Sequence, residues 1–321
     1  MVDRTLIIEL VRVTEQAAVA AARWRGRGDE RAADAAAAAA MRGELNRLPL
    51  DGTVVIGEGA RDEAPLLFVG EKVGTGQGPA VDIAVDPLEG TTLCAKDMPG
   101  SIAVMALAPA GALLRAPDVY MEKIAVGPGY PPGVVDLDRS PEDNIRALAS
   151  AKGVRPADIT VSVLDRPRHA ALIAACRRAG ASLRLLTDGD IAGIIVTART
   201  GKAAVDLHIG SGGAAEGVLA AGALRCVGGQ MQGRLILDSQ EKRDRAVAMG
   251  IVDLAKVYDM TEMASGDVVV VATGVTDGAL LRGVRQGGAV IETDTVIYRG
   301  SSGTVRRIRA EHRDFAKFGR D

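Results

Sequence analysis

The chain has 321 residues, 47% of them hydrophobic, and 39 basic against 41 acidic side chains leave a net charge of −2. That length suits two domains with a substantial core, and the near-neutral balance lacks the basic footprint of a general nucleic-acid binder. Aromatic residues, at 2%, are too few for a platform that stacks bases or sugars.

From the N-terminus, Asp3 can cap a helix whose Leu6, Ile7, Leu10, Val13 and Ala17 recur at helical spacing. A turn at Gly26-Arg27-Gly28-Asp29 precedes a helix over 31–48, where alanine raises the propensity and small side chains permit close packing. Asp34 is the lone acid on that small-residue face, and an acid so placed can simply complement the helix dipole. From 53 to 114 the pattern turns to short apolar runs at 54–56, 66–69, 81–85 and 102–107, separated by Gly and Pro turns. These predict a mixed or antiparallel sheet with no intervening helix, covered by the two N-terminal helices. Gly74-Thr75-Gly76-Gln77-Gly78 lacks the G-x-G-x-x-G order and the following helix of a nucleotide loop, and reads as a hairpin turn. A Pro/Gly loop spans 127–133, and Ser140-Pro141-Glu142-Asp143 opens a helix to Lys152.

Beyond 153–158 the pattern alternates. Strands at 159–164, 183–186 and 203–209 alternate with helices at 167–179, 190–197 and 214–224, the mark of an α/β layer. The fold class is therefore α/β with an α+β N-terminal part. A boundary near residue 157 divides a domain at 1–157 from one at 158–321. Strands at 268–272, 293–298 and 304–310 can return to the first domain, and the polar stretch 311–321 is expected to be peripheral.

Several chemistries are excluded. Cys94, Cys176 and Cys226 are odd in number and form no CxxC pair, which fits a reducing compartment. His169, His208 and His312 form no HExxH or Cys/His zinc motif. Neither a G-x-S-x-G elbow nor a P-loop is present. The N-terminus lacks a secretion signal, and the longest apolar stretch, 102–114, is broken by Pro109 and Gly111 and falls short of a membrane span. A soluble cytoplasmic protein is expected.

The most informative segment is Asp82-Ile83-Ala84-Val85-Asp86-Pro87-Leu88-Glu89-Gly90-Thr91-Thr92. An apolar strand ends in Asp86, Pro87 breaks the ladder, and Glu89 follows. Gly90 lets a phosphate approach the backbone. Upstream, Gly57-Glu58-Gly59 offers a second carboxylate at a strand end. Downstream, Gly210-Ser211-Gly212-Gly213-Ala214-Ala215-Glu216-Gly217 is a glycine-rich turn entering a helix, with Glu216 in its first turn. Brought together, Asp34, Glu58, Asp86, Glu89 and Glu216 would form an all-oxygen cluster suited to Mg²⁺ or Mn²⁺, since acids crowded around one point need cations between them. A phosphoaspartyl transferase would want a second acid where Leu88 stands, which disfavours Asp86 as nucleophile against an activated water.

Anion-binding candidates follow. Arg166 and Arg168 flank Pro167 where a strand meets a helix, and could clamp a phosphate or form a solvated basic turn. In Asp188-Gly189-Asp190 the acids could accept from sugar hydroxyls, or Asp190 could cap a helix. Tyr120 could reach a phosphate with its hydroxyl, or sit in the core.

Asp86-Pro87-Leu88-Glu89-Gly90-Thr91-Thr92 resembles the D-P-[IL]-[DE]-G-T-[ST] motif of the lithium-sensitive, metal-dependent sugar and inositol phosphatases. Val55-Ile56-Gly57-Glu58-Gly59, Asp62-Glu63-Ala64-Pro65, Gly70-Glu71-Lys72-Val73-Gly74-Thr75-Gly76 and Tyr120-Met121-Glu122-Lys123 are similar to strings of the class II, GlpX-type bacterial fructose-1,6-bisphosphatases. So are Pro167-Arg168-His169, Asp188-Gly189-Asp190 and Gly212-Gly213-Ala214-Ala215-Glu216-Gly217. The likeness runs in order from about Arg4 to Arg309. It implies a two-domain αβαβα layered sandwich that hydrolyses the 1-phosphate of fructose 1,6-bisphosphate, with sedoheptulose 1,7-bisphosphate as a further candidate substrate. By motif position Asp34, Glu58, Asp86, Glu89 and Glu216 would bind Mg²⁺ or Mn²⁺, and Glu58, Asp86 and Thr91 would carry the catalysis. Glu89, Gly90, Thr91, Tyr120, Arg166, Arg168, Asp188, Asp190 and Gly213 would contact substrate. The resemblance also implies a homodimer or homotetramer that binds neither nucleic acid nor membrane. An inositol phosphate or bisphosphorylated nucleotide is the alternative substrate, against which the Arg166/Arg168 and Asp188/Asp190 pairs weigh. The chain departs from the family pattern at Glu30, where Lys is usual, and at Ala215, where Pro is common.

Overall fold

A computed structural model describes residues 6–59, 66–199 and 205–319. Asp3, the Asp62-Glu63-Ala64-Pro65 string and residues 203–204 of the strand expected at 203–209 lie outside these ranges. The chain divides into two compact units, one built from residues up to Leu113 and from Ser265 onward, the other from Leu114–Ala264.

In the first unit, helix Leu6–Ala22 buries Leu10, Val13, Ala17 and Ala21, and helix Glu30–Leu45 buries Ala33, Ala37, Met41 and Leu45. These positions recur every three or four residues, so each helix presents one apolar stripe to the core. The second helix starts where Asp29 accepts the Ala32 N–H at 3.0 Å, which satisfies a donor that the first turn otherwise leaves open. The helices pack on each other and on an eight-stranded mixed sheet. Its order is Arg285–Gly287, Val290–Arg299, Val269–Gly274, Ile102–Pro109, Ala80–Glu89, Asp51–Ile56, Lys72–Val73, with Thr304–His312 also paired to Val290–Arg299. Asp51–Ile56 and Ala80–Glu89 run parallel, and the other pairs are antiparallel. The three C-terminal strands thus do return to the first sheet.

Four expectations need correction here. The apolar run at 66–69 is a turn rather than a strand, with Leu67 buried in the left-handed region at φ 54°. A short helix, Thr91–Ala95, intervenes between the strands. Gly74–Gly78 is not a hairpin turn, because Lys72–Val73 and Ala80–Glu89 flank Asp51–Ile56 instead of pairing together. The C-terminal stretch is not wholly peripheral, since His312 is buried in its strand and Phe318 packs into the core.

The second unit holds a six-stranded mixed sheet ordered Val257–Asp259, Gln230–Leu235, Tyr120–Val126, Leu207–Gly213, Thr160–Leu164, Ser182–Leu186. Thr160–Leu164 is parallel to both of its neighbours, with crossover helices Ala170–Arg178 and Asp190–Ile195, as the alternating pattern predicts. Ser140 caps helix Pro141–Lys152 by accepting the Asp143 N–H. Residue 157 lies inside this unit, because Tyr120–Val126 is one of its central strands, paired to Leu207–Gly213 and Gln230–Leu235. The strand expected at 203–209 runs instead to Gly213, so Gly210, Ser211, Gly212 and Gly213 belong to the sheet and not to a turn.

Candidate active site

Within the first unit, Asp86 and Glu89 stand where strand Ala80–Glu89 leaves its register. Asp86 faces Val104 and Glu89 faces Ile102, so one extra residue is accommodated opposite the neighbouring strand. Such a bulge bends the chain and re-aims side chains. Pro87 sits inside it and has no N–H to miss from the ladder. The Leu88 N–H donates to Asp86 Oδ1 at 3.1 Å, and the Ser101 hydroxyl donates to the Glu89 carbonyl at 3.0 Å. Carboxylate oxygens of Asp86 and Glu89 lie within 4.8 Å of each other. Gly90 then adopts φ 78°, a left-handed turn that glycine makes without a Cβ penalty, and Thr91 opens the short helix.

A second pair of acids forms in the same unit. Asp34, from the alanine-rich helix, hydrogen-bonds Glu58, two residues past the end of strand Asp51–Ile56. Loss of solvent pushes the Asp34 carboxyl above the ordinary carboxylate range, while the Glu58 hydrogen bond pulls it down. Glycine is required at Gly57, since a Cβ there would lie 1.9 Å from the Leu67 carbonyl oxygen. That carbonyl accepts the Glu58 N–H at 3.1 Å.

The substrate candidates lie in the second unit. Arg166 and Arg168 flank Pro167 after strand Thr160–Leu164, as expected, but they take different partners. Arg166 donates to the Thr187 carbonyl at 2.6 Å and to Asp188 at 3.3 Å. Arg168 lies over the Tyr120 ring, 4.7 Å from its centroid, and donates to the hydroxyl and carbonyl of Ser211 at 3.1 and 2.8 Å. Tyr120 is 49% exposed, which removes the core-tyrosine reading. His169 accepts the Ser211 N–H on Nε2 at 2.9 Å, so its Nδ1 carries the proton and donates to the Leu164 carbonyl at 2.8 Å. Burial holds this imidazole below its usual range.

Gly189, in the left-handed region, rather than Asp190, caps helix Asp190–Ile195, and Asp190 is buried. It is neutralised by Lys123, whose ammonium is fully buried, 2.5 Å from the Asp190 carboxylate and 2.7 Å from the Gly213 carbonyl. Glycine at 212 makes room for this pair, since a Cβ would lie 2.0 Å from Asp190 Oδ2. Glu216, in the first turn of helix Ala214–Arg225, is pushed above the usual carboxylate range by burial and by the charge of Asp190, with Lys123 opposing. Lys123 and Ser211 have central positions that sequence reasoning assigned to neither. Both occur in strings quoted above, but a buried lysine is recognisable only once its acid partner is in place.

The all-oxygen donors fit hard divalent cations, and acids paired at this range favour a cation between them. Asp86 and Glu89 thus belong to a group of acids that could hold a divalent metal. The family model for bacterial fructose-1,6-bisphosphatase, glpX-encoded, matches residues 4–312. The chain is 46% identical to fructose-1,6-bisphosphatase 1 class 2 of Escherichia coli (strain K12), over 96% of this chain and 95% of that protein. It is 44% identical to the D-fructose 1,6-bisphosphatase class 2/sedoheptulose 1,7-bisphosphatase of a Synechococcus species, over 97% and 96%.

Proposed function

The chain belongs to the glpX-encoded bacterial fructose-1,6-bisphosphatase family, and on that premise we propose that it hydrolyses the 1-phosphate of fructose 1,6-bisphosphate to fructose 6-phosphate and phosphate with Mg²⁺ or Mn²⁺. The observation that carries this reading is the bulged strand end Asp86–Glu89, which holds two carboxylates in place on a rigid sheet beside Gly90 and Thr91. Sedoheptulose 1,7-bisphosphate presents the same phosphorylated end, and the name of the Synechococcus relative favours it as a second substrate. Assembly as a homodimer or homotetramer and a cytoplasmic location belong to the same reading, the latter supported by three buried free cysteines. Among the described residues no helix is long and apolar enough to cross a membrane.

In this mechanism Asp34, Glu58, Asp86, Glu89 and Glu216 would hold the divalent cations. When bound, these supply Lewis-acid polarisation of the phosphoryl group and lower the pKa of water. Thr91 orients the attacking water with its hydroxyl, and the left-handed Gly90 leaves the backbone open to the phosphate. Arg168, kept in one orientation by Ser211 and the Tyr120 ring, grips the distal phosphate. Its binding energy is thereby spent on aligning the reacting end. Arg166 and Asp188 form a charged pair at the neighbouring strand end, where sugar hydroxyls can be recognised.

Phosphate release from sugar bisphosphates, inositol phosphates and bisphosphorylated nucleotides, with and without Mn²⁺, tests the proposal. Turnover of fructose 1,6-bisphosphate that depends on the metal is expected. Asp86→Ala and Glu216→Ala should each abolish it while circular dichroism stays native. Wild-type-like turnover in either variant would contradict the ligand assignment.

A further inference from the structure

The string Gly70-Glu71-Lys72-Val73-Gly74-Thr75-Gly76 has no role in the mechanism above, yet it contains an acid that is only 6% exposed. Glu71 uses both carboxylate oxygens. Oε1 accepts from Arg42 Nε at 2.5 Å, and Oε2 accepts the Leu67 N–H at 2.5 Å. Each donor leads to one member of the Asp34–Glu58 pair. Arg42 lies on the same helix as Asp34, eight residues or about two turns further on. Leu67 accepts the Glu58 N–H on its carbonyl at 3.1 Å. Leu67 holds φ 54°, a conformation that is strained for a side-chain-bearing residue and persists only where neighbours impose it. The Glu71 main chain is also docked on the strand that leads to Glu58, its carbonyl accepting the Val54 N–H at 2.9 Å.

We propose that Glu71, with Arg42, is a positioning residue that sets the spacing of Asp34 and Glu58 and thereby the affinity of the divalent-metal site they form. This inference rests on the reading of those two acids as metal ligands. One anionic side chain ties the helix bearing the first ligand to the turn that holds the second. A carboxylate can do this because it accepts on both oxygens, whereas an amide of the same shape accepts on one and turns an N–H toward the other donor. Groups that orient metal ligands characteristically change affinity by about 10–100-fold when altered.

The test is a titration with Mn²⁺ alone, following free Mn²⁺ by electron paramagnetic resonance, on the full-length wild type and on Asp34→Asn, Glu71→Gln and Arg42→Lys. Asp34→Asn should remove or weaken one class of Mn²⁺ site, which establishes the ligand reading independently. Glu71→Gln should weaken that same class about ten-fold or more, in protein that circular dichroism shows to be folded. Arg42→Lys keeps the charge but loses the Nε geometry, should shift the same class in the same direction, and stands in should Glu71→Gln fail to fold. Mn²⁺ affinity within two-fold of wild type in folded Glu71→Gln or, failing that, Arg42→Lys would overturn the positioning role. Unchanged binding in Asp34→Asn would instead overturn the ligand reading, and the inference with it.

Discussion

In the proposed site, Arg168 is arranged before any ligand arrives. Its guanidinium is held on one side by the Tyr120 ring and on another by both oxygens of Ser211, so little side-chain entropy remains to be lost on gripping a phosphate. Charge-assisted hydrogen bonds of this kind contribute about 1.5–3 kcal/mol each. Arg168→Ala should therefore raise KM for fructose 1,6-bisphosphate about ten-fold or more, with a smaller change in kcat. Steady-state kinetics over a wide substrate range would reveal it, and an unchanged KM would remove Arg168 from the distal-phosphate role. Lys123 illustrates the opposite economy. Its charge is wholly buried and compensated by Asp190 and the Gly213 carbonyl, so it shapes the site from behind and is not exposed to a substrate.

Elements place these side chains through irregularities more than through regular structure. Asp86 and Glu89 owe their position to a bulge, and Glu58 to a turn that only glycine at 57 permits. Gly57→Ala would drive a Cβ to within 1.9 Å of the Leu67 carbonyl and break the hydrogen bond that carries Glu58. A loss of about 1–3 kcal/mol in urea denaturation is expected from such overpacking, together with weaker Mn²⁺ activation. Activation unchanged from wild type would show that Glu58 does not depend on this turn. Much at this scale was legible beforehand. The cap Ser140 and the βα turn around Pro167 follow from local chemistry, whereas the strand expected to end at Asp86 continues through a bulge to Glu89. The strand Tyr120–Val126 was not legible, because Glu122 and Lys123 interrupt its apolar pattern. Lys123 is tolerated inside through Asp190, 67 residues away, and the Gly213 carbonyl. The run at 66–69 misled for a related reason. Its apolarity suits a strand, but Leu67 is fastened into a turn by Glu71 and Glu58, which a local pattern cannot register. At the proposed site, motif position put the acids forward, whereas the places of Glu71, Ser211 and Lys123 depend on tertiary partners.

For the whole molecule, two buried histidines of the second unit contribute to the pH dependence of stability. Burial lowers His208 from 6.5 to about 4, and its neutral ring bonds Ser162 at 2.9 Å. As pH falls, the unfolded chain takes up this proton first, so the contribution of His208 is complete above about 6.5 and is lost progressively down to about 4. His169, also lowered by burial, acts in the same direction. Urea midpoints should fall between pH 7 and pH 5, and His208→Asn should flatten that slope. A slope unchanged by the substitution would remove His208 from the account.

The first sheet has a further consequence, for how the protein is made. Ile102–Pro109 lies between Ala80–Glu89 and Val269–Gly274, so one of its two neighbours is translated only after the entire intervening unit Leu114–Ala264. At about 5–20 residues per second, a ribosome leaves that apolar strand with an open edge for on the order of ten seconds or more. During that interval the second unit has all of its own strands and can complete its sheet first. The nascent first unit, with Val104, Met105 and Leu107 waiting for a partner, is the stage at which a chaperone would be needed.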